Sequence, residues 1–495
     1  MKDICCGNSL QVIRDNELHS ARGVRLKLLT DPYRPTFHFV NPEGHAMPFD
    51  PNGNIFWRGR HHMGYIYQEH GTHYWGHVSS TDLLHWRHHR PYLTPTLDSP
   101  ETSIFSGNSY LDKDGKRVLC MYHGCGAGNS IAWSDDKDLE HWHKHEFNPL
   151  VPNPVDAEKA DYTSWDPCGW IHNGTYYAIF GGGKNTVWKS KDLRKWTKCG
   201  PFLAHAYPGI DIFEDISCPD FFPMGKKWVM VCISHRLGTR YYVGDWKNEQ
   251  FHPEYHEMMS YCDNQFFAPE SHTDDKGRRI LFAWVLDGRN DAAKGPTGWS
   301  GMMSLPRIMT LGSDNRLIMT PAEETKTLRY NPIVARNLVV GKNGQTNIAF
   351  DGVLDNVLEL EVEMRGSGAA EFGVKVCCSP DGSYETVIGY NVDEGKLKID
   401  TTRTGKNQLM SAMIGNNMRK FVETAPMKLG KNEALKLRVF IDRCMVEVFA
   451  NDGRLVLSRV VYPPHGAAGI KLYAKGGSAK ASVVKAWDMM PTNPY

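Results

Sequence analysis

Short stretches of apolar residues alternate with polar turns along the whole chain, and no long stretch shows the periodicity of a helix. Tyr176–Phe180 and Trp228–Ile233 are typical, since each is short and rich in aromatic or β-branched residues. Past residue 331 the alternation becomes regular, with VLELEVEM at Val357–Met364 and LKLRVFI at Leu435–Ile441. A period of two predicts antiparallel strands with one buried face. We therefore predict an all-β protein.

A repeat organises the first part of the chain. The motif Ser-x-Asp-Leu-x-x-Trp begins at Ser80 and at Ser190, a longer variant begins at Ser134, and a weaker fourth copy ends at Trp246. A spacing of about 50–56 residues, filled with short strands, is typical of one four-stranded propeller blade per repeat. In the later part, Asn451-Asp452-Gly453 predicts a tight hairpin turn, which fits a β-sandwich.

Acidic or polar motifs recur at a similar interval, where the inner strand of each blade would begin. They are Asp50-Pro51-Asn52-Gly53, Phe105-Ser106-Gly107-Asn108, Trp165-Asp166-Pro167, Glu214 through Asp220, and Ala268-Pro269-Glu270-Ser271. This pattern places Asp50, Asp166 and the Glu214 region at one rim of a central funnel. Cleavage of a glycosidic bond needs an ionised carboxylate and a carboxylic acid that stays protonated. The mouth of the propeller is therefore a candidate site for glycoside cleavage.

Length and charge narrow the function classes. A chain of 495 residues has room for two buried cores, which we assign to a propeller at 1–320 with an N-terminal extension of about 1–30, a linker at 321–330 and a sandwich at 331–495. A net charge of +1 predicts no nucleic-acid partner and favours a small, neutral substrate. Because the sequence has neither a long apolar run nor a signal-peptide pattern, we expect no membrane association and a cytoplasmic location.

The cysteines and histidines give little support to a metal or a cofactor. The twelve cysteines are scattered and contain no Cys-x-x-Cys pair, so most are expected to be reduced thiols. His141, His143 and His145 alternate, but a solvated strand explains this spacing better than a metal site. We expect no metal and no cofactor.

The motifs resemble those of glycoside hydrolase family 32, the β-fructofuranosidase, invertase and inulinase group, from about Phe37 to the end of the chain. The resembling stretches include Asp50-Pro-Asn-Gly, Trp75-Gly-His77, Phe105-Ser-Gly, Asp166-Pro, Cys218-Pro-Asp, Phe267-Ala-Pro-Glu, Met303-Ser-Leu-Pro-Arg307 and Asp442 through Phe449. The resemblance implies a five-bladed β-propeller followed by a C-terminal β-sandwich, which agrees with the repeat. Within the sandwich, we interpret Asp442 and Glu447 as surface or turn residues.

The resemblance also implies a retaining double displacement. Asp50 would be the nucleophile, and Asp166 would stabilise the transition state. Positions that match sugar contacts of the family are Asn52, Gln68, Trp75, Phe105 and Ser106.

Three departures from the family pattern affect this site. The family has Glu immediately before Cys-Pro, where this chain has Ser217, so the acid/base role must move or be lost. Glu214 is our candidate for that role because its side chain is long, and Asp215, which shares strand parity with Ser217, is the alternative. Phe49 and Trp165 replace an Asn and an Arg of the family, so we expect the pocket to read a different pattern of hydroxyls and to prefer a different furanoside or a modified or linked fructoside.

The main functional hypothesis is a retaining glycosidase that cleaves β-fructofuranosides, or a closely related furanoside, in small saccharides. A transferase that passes the fructosyl group to another sugar is one alternative, and a catalytically inactive carbohydrate-binding propeller is another. The sequence does not decide the oligomeric state, and a homo-oligomer is compatible with it.

Overall fold

The computed structural model describes residues 28–40, 49–348 and 356–493. The predicted N-terminal extension of about 1–30 lies almost entirely outside these residues. No helix in the described ranges is long and apolar enough to cross a membrane.

Five antiparallel sheets follow one another along the chain. Blade 1 contains β1 (Pro51–Trp57), β2 (Arg60–Glu69), β3 (Thr72–Ser80) and β4 (Arg87–His88). Blade 2 contains β5 (Ile104–Leu111), β6 (Val118–Gly124), β7 (Gly128–Ser134) and β8 (His143–Lys144), with β9 (Val151–Pro152) also paired to β7. Blade 3 contains β10 (Pro167–His172), β11 (Thr175–Phe180), β12 (Thr186–Ser190) and β13 (Thr197–Pro201).

The last two blades have the same order. Blade 4 contains β14 (Ser217–Met224), β15 (Lys227–Ser234), β16 (Gly238–Lys247) and β17 (Gln250–Met258). Blade 5 contains β18 (Phe266–Thr273), β19 (Arg279–Val285), β20 (Met302–Met303), β21 (Arg307–Leu311) and β22 (Leu317–Pro321), with a short helix at Asp291–Lys294. The inner strands β1, β5, β10, β14 and β18 each lie against the next, and β18 returns to β1. The predicted propeller is confirmed.

The repeated sequence motifs mark fixed places in each blade. Ser80, Ser134 and Ser190 each end the third strand of a blade, and the turn that follows leads to the outer edge. In two of these turns the motif serine bonds the motif aspartate, as Ser80 does with Asp82 over 2.9 Å. Trp246 is different, because it lies inside the third strand of blade 4 rather than after it, so the weak fourth copy was not a true repeat.

The inner-strand motifs begin with irregular pairing. The register shifts between Asn52 and Ile55 in blade 1, and at the matching place in blades 2, 4 and 5. Cys218 and Ala268 adopt positive φ angles of 45° and 44° at these shifts. A bulge bends a strand and re-aims its side chains. The start of each inner strand can therefore present side chains to the mouth of the funnel.

Two sheets form the sandwich. One has the order β23 (Arg329–Val340), β36 (Ser478–Met489), β25 (Val357–Ser367), β32 (Leu435–Asp442), β33 (Met445–Ala450) and β34 (Leu455–Val460). The other has the order β24 (Gln345–Ile348), β35 (Gly469–Lys475), β26 (Glu371–Cys378), β27 (Glu385–Asn391), β28 (Lys396–Arg403) and β31 (Val422–Pro426). A separate two-stranded hairpin consists of β29 (Met413–Ile414) and β30 (Asn417–Met418). Aliphatic side chains from both sheets fill one core between them.

A buried ionic cluster joins the sandwich to the propeller. His38 Nδ1 lies 2.9 Å from Asp442 Oδ2, and His38 Nε2 lies 3.5 Å from Glu447 Oε2. Glu447 also accepts a hydrogen bond from Arg307 of blade 5. Burial alone would lower the pKa of His38, but the hydrogen bonds to the two carboxylates raise it to about 9. The expectation that Asp442 and Glu447 are surface or turn residues was wrong, because neither side chain is exposed.

Candidate active site

Two carboxylates, Asp50 and Asp166, meet at the mouth of the propeller. Asp50 directly precedes β1 and Asp166 directly precedes β10, so each lies where an inner strand begins. The Cys218 thiol of β14 lies between them, with its Sγ 3.3 Å from Asp50 Oδ2 and 3.6 Å from Asp166 Oδ2. The Cys218 backbone N–H also donates to Asp166 Oδ2 over 2.9 Å. Three blades thus bring two carboxylates to one thiol.

Burial makes both carboxylates harder to ionise. Asp166 is 3% exposed, and its loss of hydration raises its pKa to about 7, with the nearby charge of Asp50 adding to the rise. Burial also raises the pKa of Asp50, but hydrogen bonds from Ser106 and Cys218 oppose this rise because they stabilise the anion. These hydrogen bonds favour the ionised form of Asp50, which is the form that acts as a nucleophile.

Three of the predicted sugar contacts lie below the mouth. Ser106 is buried, and its hydroxyl donates to Asp50 Oδ2 over 2.9 Å. Asn52 is also buried, and its side chain donates to the Asp50 carbonyl while accepting from a backbone N–H of blade 2. Trp75 is fully buried and donates its indole N–H to the Phe105 carbonyl. These side chains hold the site together from beneath.

Phe105, another predicted contact, belongs to a chain of aromatic rings around the mouth, which we call the aromatic arc. Neighbouring rings lie 4.7–6.1 Å apart between centroids, in the order Trp165, Phe105, His73, Phe49, Trp284, Phe267 and His235. The arc passes from blade 3 through blades 2, 1 and 5 to blade 4. Gln68 is half-buried and pairs with His73 across β2 and β3. Phe49 and Trp165, which replace polar residues of the family, thus line the mouth.

Glu214 and Asp215 point to different partners. The Glu214 carboxylate accepts from Ser234 Oγ over 2.7 Å and forms an ion pair with Arg236. Burial would raise the pKa of Glu214, but these two partners lower it below the ordinary value. Asp215 instead bonds His235, whose Nδ1 lies 2.7 Å from its Oδ2.

Sequence reasoning missed Cys218 and His235 as members of the site. Cys218 had a signal, since it directly follows the departure at Ser217 within the resembling motif. His235 had none, because it lies in a loop of blade 4 outside every motif. In the described ranges, no group of three or more His, Cys, Asp or Glu side chains is arranged to hold a metal ion.

Comparisons with known proteins agree with this architecture. The model of the glycosyl hydrolases family 32 N-terminal domain matches residues 38–321, and that of the family 32 C terminal matches residues 324–488. The structure is similar to the crystal structure of fructan 1-exohydrolase IIa from Cichorium intybus, with a TM-score of 0.83 and 22% identity over 93% of this chain and 98% of the other.

Curated relatives align over nearly the whole chain. A levanase of Bacillus subtilis (strain 168) is 30% identical over 93% of this chain and 72% of its own length. A sucrose-6-phosphate hydrolase of the same strain is 27% identical over 91% of this chain and 93% of its own length. The two family models together span almost all of the propeller and the sandwich. The chain belongs to glycoside hydrolase family 32 and is a glycosidase.

Proposed function

We propose that this enzyme hydrolyses the terminal β-fructofuranosidic bond of a neutral saccharide, such as sucrose or a levan oligomer, with retention of configuration. The observation that carries the proposal is the pair of carboxylates, Asp50 and Asp166, held within hydrogen-bonding distance of the Cys218 thiol at the propeller mouth. A retaining glycosidase requires a carboxylate that attacks the anomeric carbon, a role that Asp50 can fill, together with a separate acid/base group.

The contacts of each carboxylate suit a different role. The Asp50 carboxylate accepts hydrogen bonds from Ser106 and Cys218, which favour its ionised form, and one of its oxygens can then attack the anomeric carbon. Asp166 is buried at the same mouth, and its carboxylate can accept hydrogen bonds from the ring hydroxyls of a bound sugar. Such bonds strengthen as positive charge develops on the sugar, so they stabilise the transition state more than the bound substrate.

The aromatic arc supports a saccharide substrate and affects its selection. Aromatic rings stack on the apolar faces of sugars, and Trp165 and Phe49 offer two such rings within the arc. A site that replaces polar contacts by rings loses discrimination among hydroxyl patterns. We therefore propose a terminal fructosyl group bound mainly by stacking, with the rest of the saccharide outside the mouth.

A saccharide panel tests this proposal. The purified enzyme is incubated with sucrose, inulin and levan oligomers and an arabinofuranoside, and free monosaccharide is measured. Release of fructose from at least one fructoside is expected. Release of arabinose alone, or of no sugar, would contradict the proposed substrate class. Fructosylated acceptors without free fructose would indicate transfer rather than hydrolysis.

The cytoplasmic location and the homo-oligomer stay predictions. Fractionation of the source cells tests the first, and light scattering of the purified protein tests the second.

A further inference from the structure

The loop between β15 and β16 holds one histidine in a defined place at the mouth. The His235 backbone N–H donates to Asp215 Oδ2 over 2.9 Å. Its carbonyl accepts from Asn264 Nδ2 and from Asn417 Nδ2, each over 3.1 Å. Asn417 belongs to the small hairpin of the C-terminal domain, so both domains fix this loop. The imidazole itself is 46% exposed and forms the last ring of the aromatic arc, next to Phe267.

Ser217, which stands where the family has its glutamate, contacts the Asp215 carboxylate. Asp215 Oδ1 accepts a hydrogen bond from Ser217 Oγ over 2.7 Å. Its other oxygen, Oδ2, lies 2.7 Å from His235 Nδ1. Asp215 therefore links the substituted position to His235.

Neither nearby carboxylate is suited to donate a proton. Both oxygens of Glu214 are occupied, by Ser234 and by the Arg236 guanidinium. Burial would raise the pKa of Asp215, but the hydrogen bonds from His235 and Ser217 bring it below the ordinary value. A general acid must hold its proton at the working pH. A carboxylate whose anion is stabilised in this way does not.

We infer that His235 is the catalytic acid/base of this enzyme and that Asp215 is its positioning residue. An ionised carboxylate only accepts, so Nδ1 of His235 carries a proton toward Asp215, and Nε2 is left to act on the substrate. The inference rests on the proposed function, because it assigns a role within the same double displacement.

The proton balance follows from these contacts. In the first step, an Asp50 oxygen forms a bond to the anomeric carbon as the glycosidic C–O bond breaks, and the proton on His235 Nε2 moves to the leaving oxygen. In the second step, water attacks the anomeric carbon as the bond from this carbon to Asp50 breaks, and the water gives its proton to Nε2. The Asp50 carboxylate and the imidazolium are thereby both restored.

The charges that face His235 favour its protonated form. The hydrogen bond to Asp215 raises the pKa of His235, partial burial opposes the rise, and the charges of Asp166 and Asp50 add to it. The neighbouring Arg236 is turned toward Glu214. An imidazolium near neutral pH is the form that the first step consumes.

The kinetics of His235→Gln test this inference. The matched control is His205→Gln, which changes an exposed histidine outside the site. On sucrose or a levan oligomer we expect kcat/KM to fall by about 10²–10⁴-fold in His235→Gln. An aryl fructoside with a good leaving group should lose far less in its first step. The basic limb of the pH–rate profile should disappear, and added azide should restore part of the second step. His205→Gln should match the wild type.

Asp215→Asn separates positioning from catalysis. It should move the basic limb to lower pH without abolishing it, and the His235 ring resonance in NMR should titrate at lower pH than in the wild type. If the wild type is active and His235→Gln keeps the same kcat/KM and pH profile as His205→Gln, the inference is overturned. It is also overturned if Glu214→Gln is the one variant whose loss of kcat/KM depends on the leaving group. A wild type inactive on every fructoside overturns the proposed function first and this inference with it. Thermal unfolding of each variant confirms that it is folded.

Discussion

Asp166 carries its charge in a place that disfavours charge. Its pKa is raised to about 7, chiefly by burial, whereas an unfolded aspartate ionises near its ordinary value. A carboxyl group that binds its proton more tightly when folded costs stability as pH rises from the ordinary value through about 7. A neutral side chain of the same shape would remove this cost to stability.

Replacing Asp166 should therefore separate activity from stability. Asp166→Asn should lower kcat by at least about 10²-fold, because it removes the charge that stabilises the transition state. At pH 8 its unfolding temperature should equal or exceed that of the wild type, and this difference should shrink as pH falls toward 4. Kinetics and calorimetry measure the two effects. A marked loss of stability at pH 8 would mean that Asp166 is a structural turn residue.

Ser106 controls the ionisation of the nucleophile. Its hydroxyl donates to the Asp50 carboxylate, and this bond lowers the pKa of Asp50. In Ser106→Ala the pKa of Asp50 should rise, so the acidic limb of the pH–rate profile should move to higher pH. Ser164→Ala is the control, because Ser164 is a similarly buried serine that bonds only backbone groups of blade 2. If the acidic limb of the pH–rate profile does not move in Ser106→Ala, the ionisation of Asp50 does not determine that limb.

The aromatic arc joins all five blades at the mouth of the propeller. Trp165→Ala should raise KM about tenfold, since loss of one stacking contact removes about 1.4 kcal/mol, with a smaller effect on kcat. Trp133→Ala is the control, because Trp133 lies near the far end of β7 and stacks on His143. Initial rates across substrate concentrations measure both constants. An unchanged KM in Trp165→Ala would remove the arc from substrate binding.

The elements themselves were largely readable from the sequence, because turn and bulge residues recur at the start of each inner strand. Errors arose where a side chain finds a partner far along the chain. Glu359 was expected on a half-buried strand, yet it is fully buried because Arg329 and Arg438 neutralise it. Trp246 carried a repeat signal, but it belongs to a strand where it packs on Trp170.

The two carboxylates of the site were predictable because their motifs also recur at the start of inner strands. Asp50 and Asp166 stand in motifs at the spacing of the blades, so their meeting at one rim followed from the repeat. The ion pair of Glu214 with Arg236, and the bond of Asp215 to His235, cross from one loop to another. Strand periodicity does not extend through loops, so the choice of Glu214 over Asp215 depended on side-chain length alone and could not take these partners into account.

Over the whole molecule, buried neutral histidines oppose stability at acid pH. His61 with His272, and His62 with His77, form buried pairs with 2.9 Å between ring nitrogens. Burial lowers the pKa of His61 to about 4 and that of His62 to about 3, and it lowers the pKa of the other two well below the ordinary value. Below about pH 6.5 these histidines bind protons in the unfolded chain, whereas in the folded protein they stay neutral until the pH is lower.

The free energy of unfolding should therefore fall as pH drops from about 6.5 toward 4, by up to about 1.4 kcal/mol per pH unit for each of these histidines. His38, with a pKa raised to about 9, adds stability below its unfolded pKa that is lost as pH rises toward 9. Urea unfolding at several pH values measures both slopes. The decrease in the free energy of unfolding between about pH 6.5 and pH 4 should be smaller in His62→Gln than in the wild type. It should be unchanged in His85→Gln, which changes an exposed histidine. Equal slopes in the two variants would exclude the buried pairs as the cause.

Asp50→Ala with added azide tests whether Asp50 is the nucleophile of a retaining fructosidase. Without azide, the variant should release no fructose from sucrose or levan oligomers above the uncatalysed rate. With azide and an aryl fructoside that has a good leaving group, azide should fill the space of the missing carboxylate and attack the anomeric carbon once. NMR should then show a fructosyl azide of inverted configuration. If Asp50→Ala releases fructose without azide at a rate near that of the wild type, Asp50 is not the nucleophile.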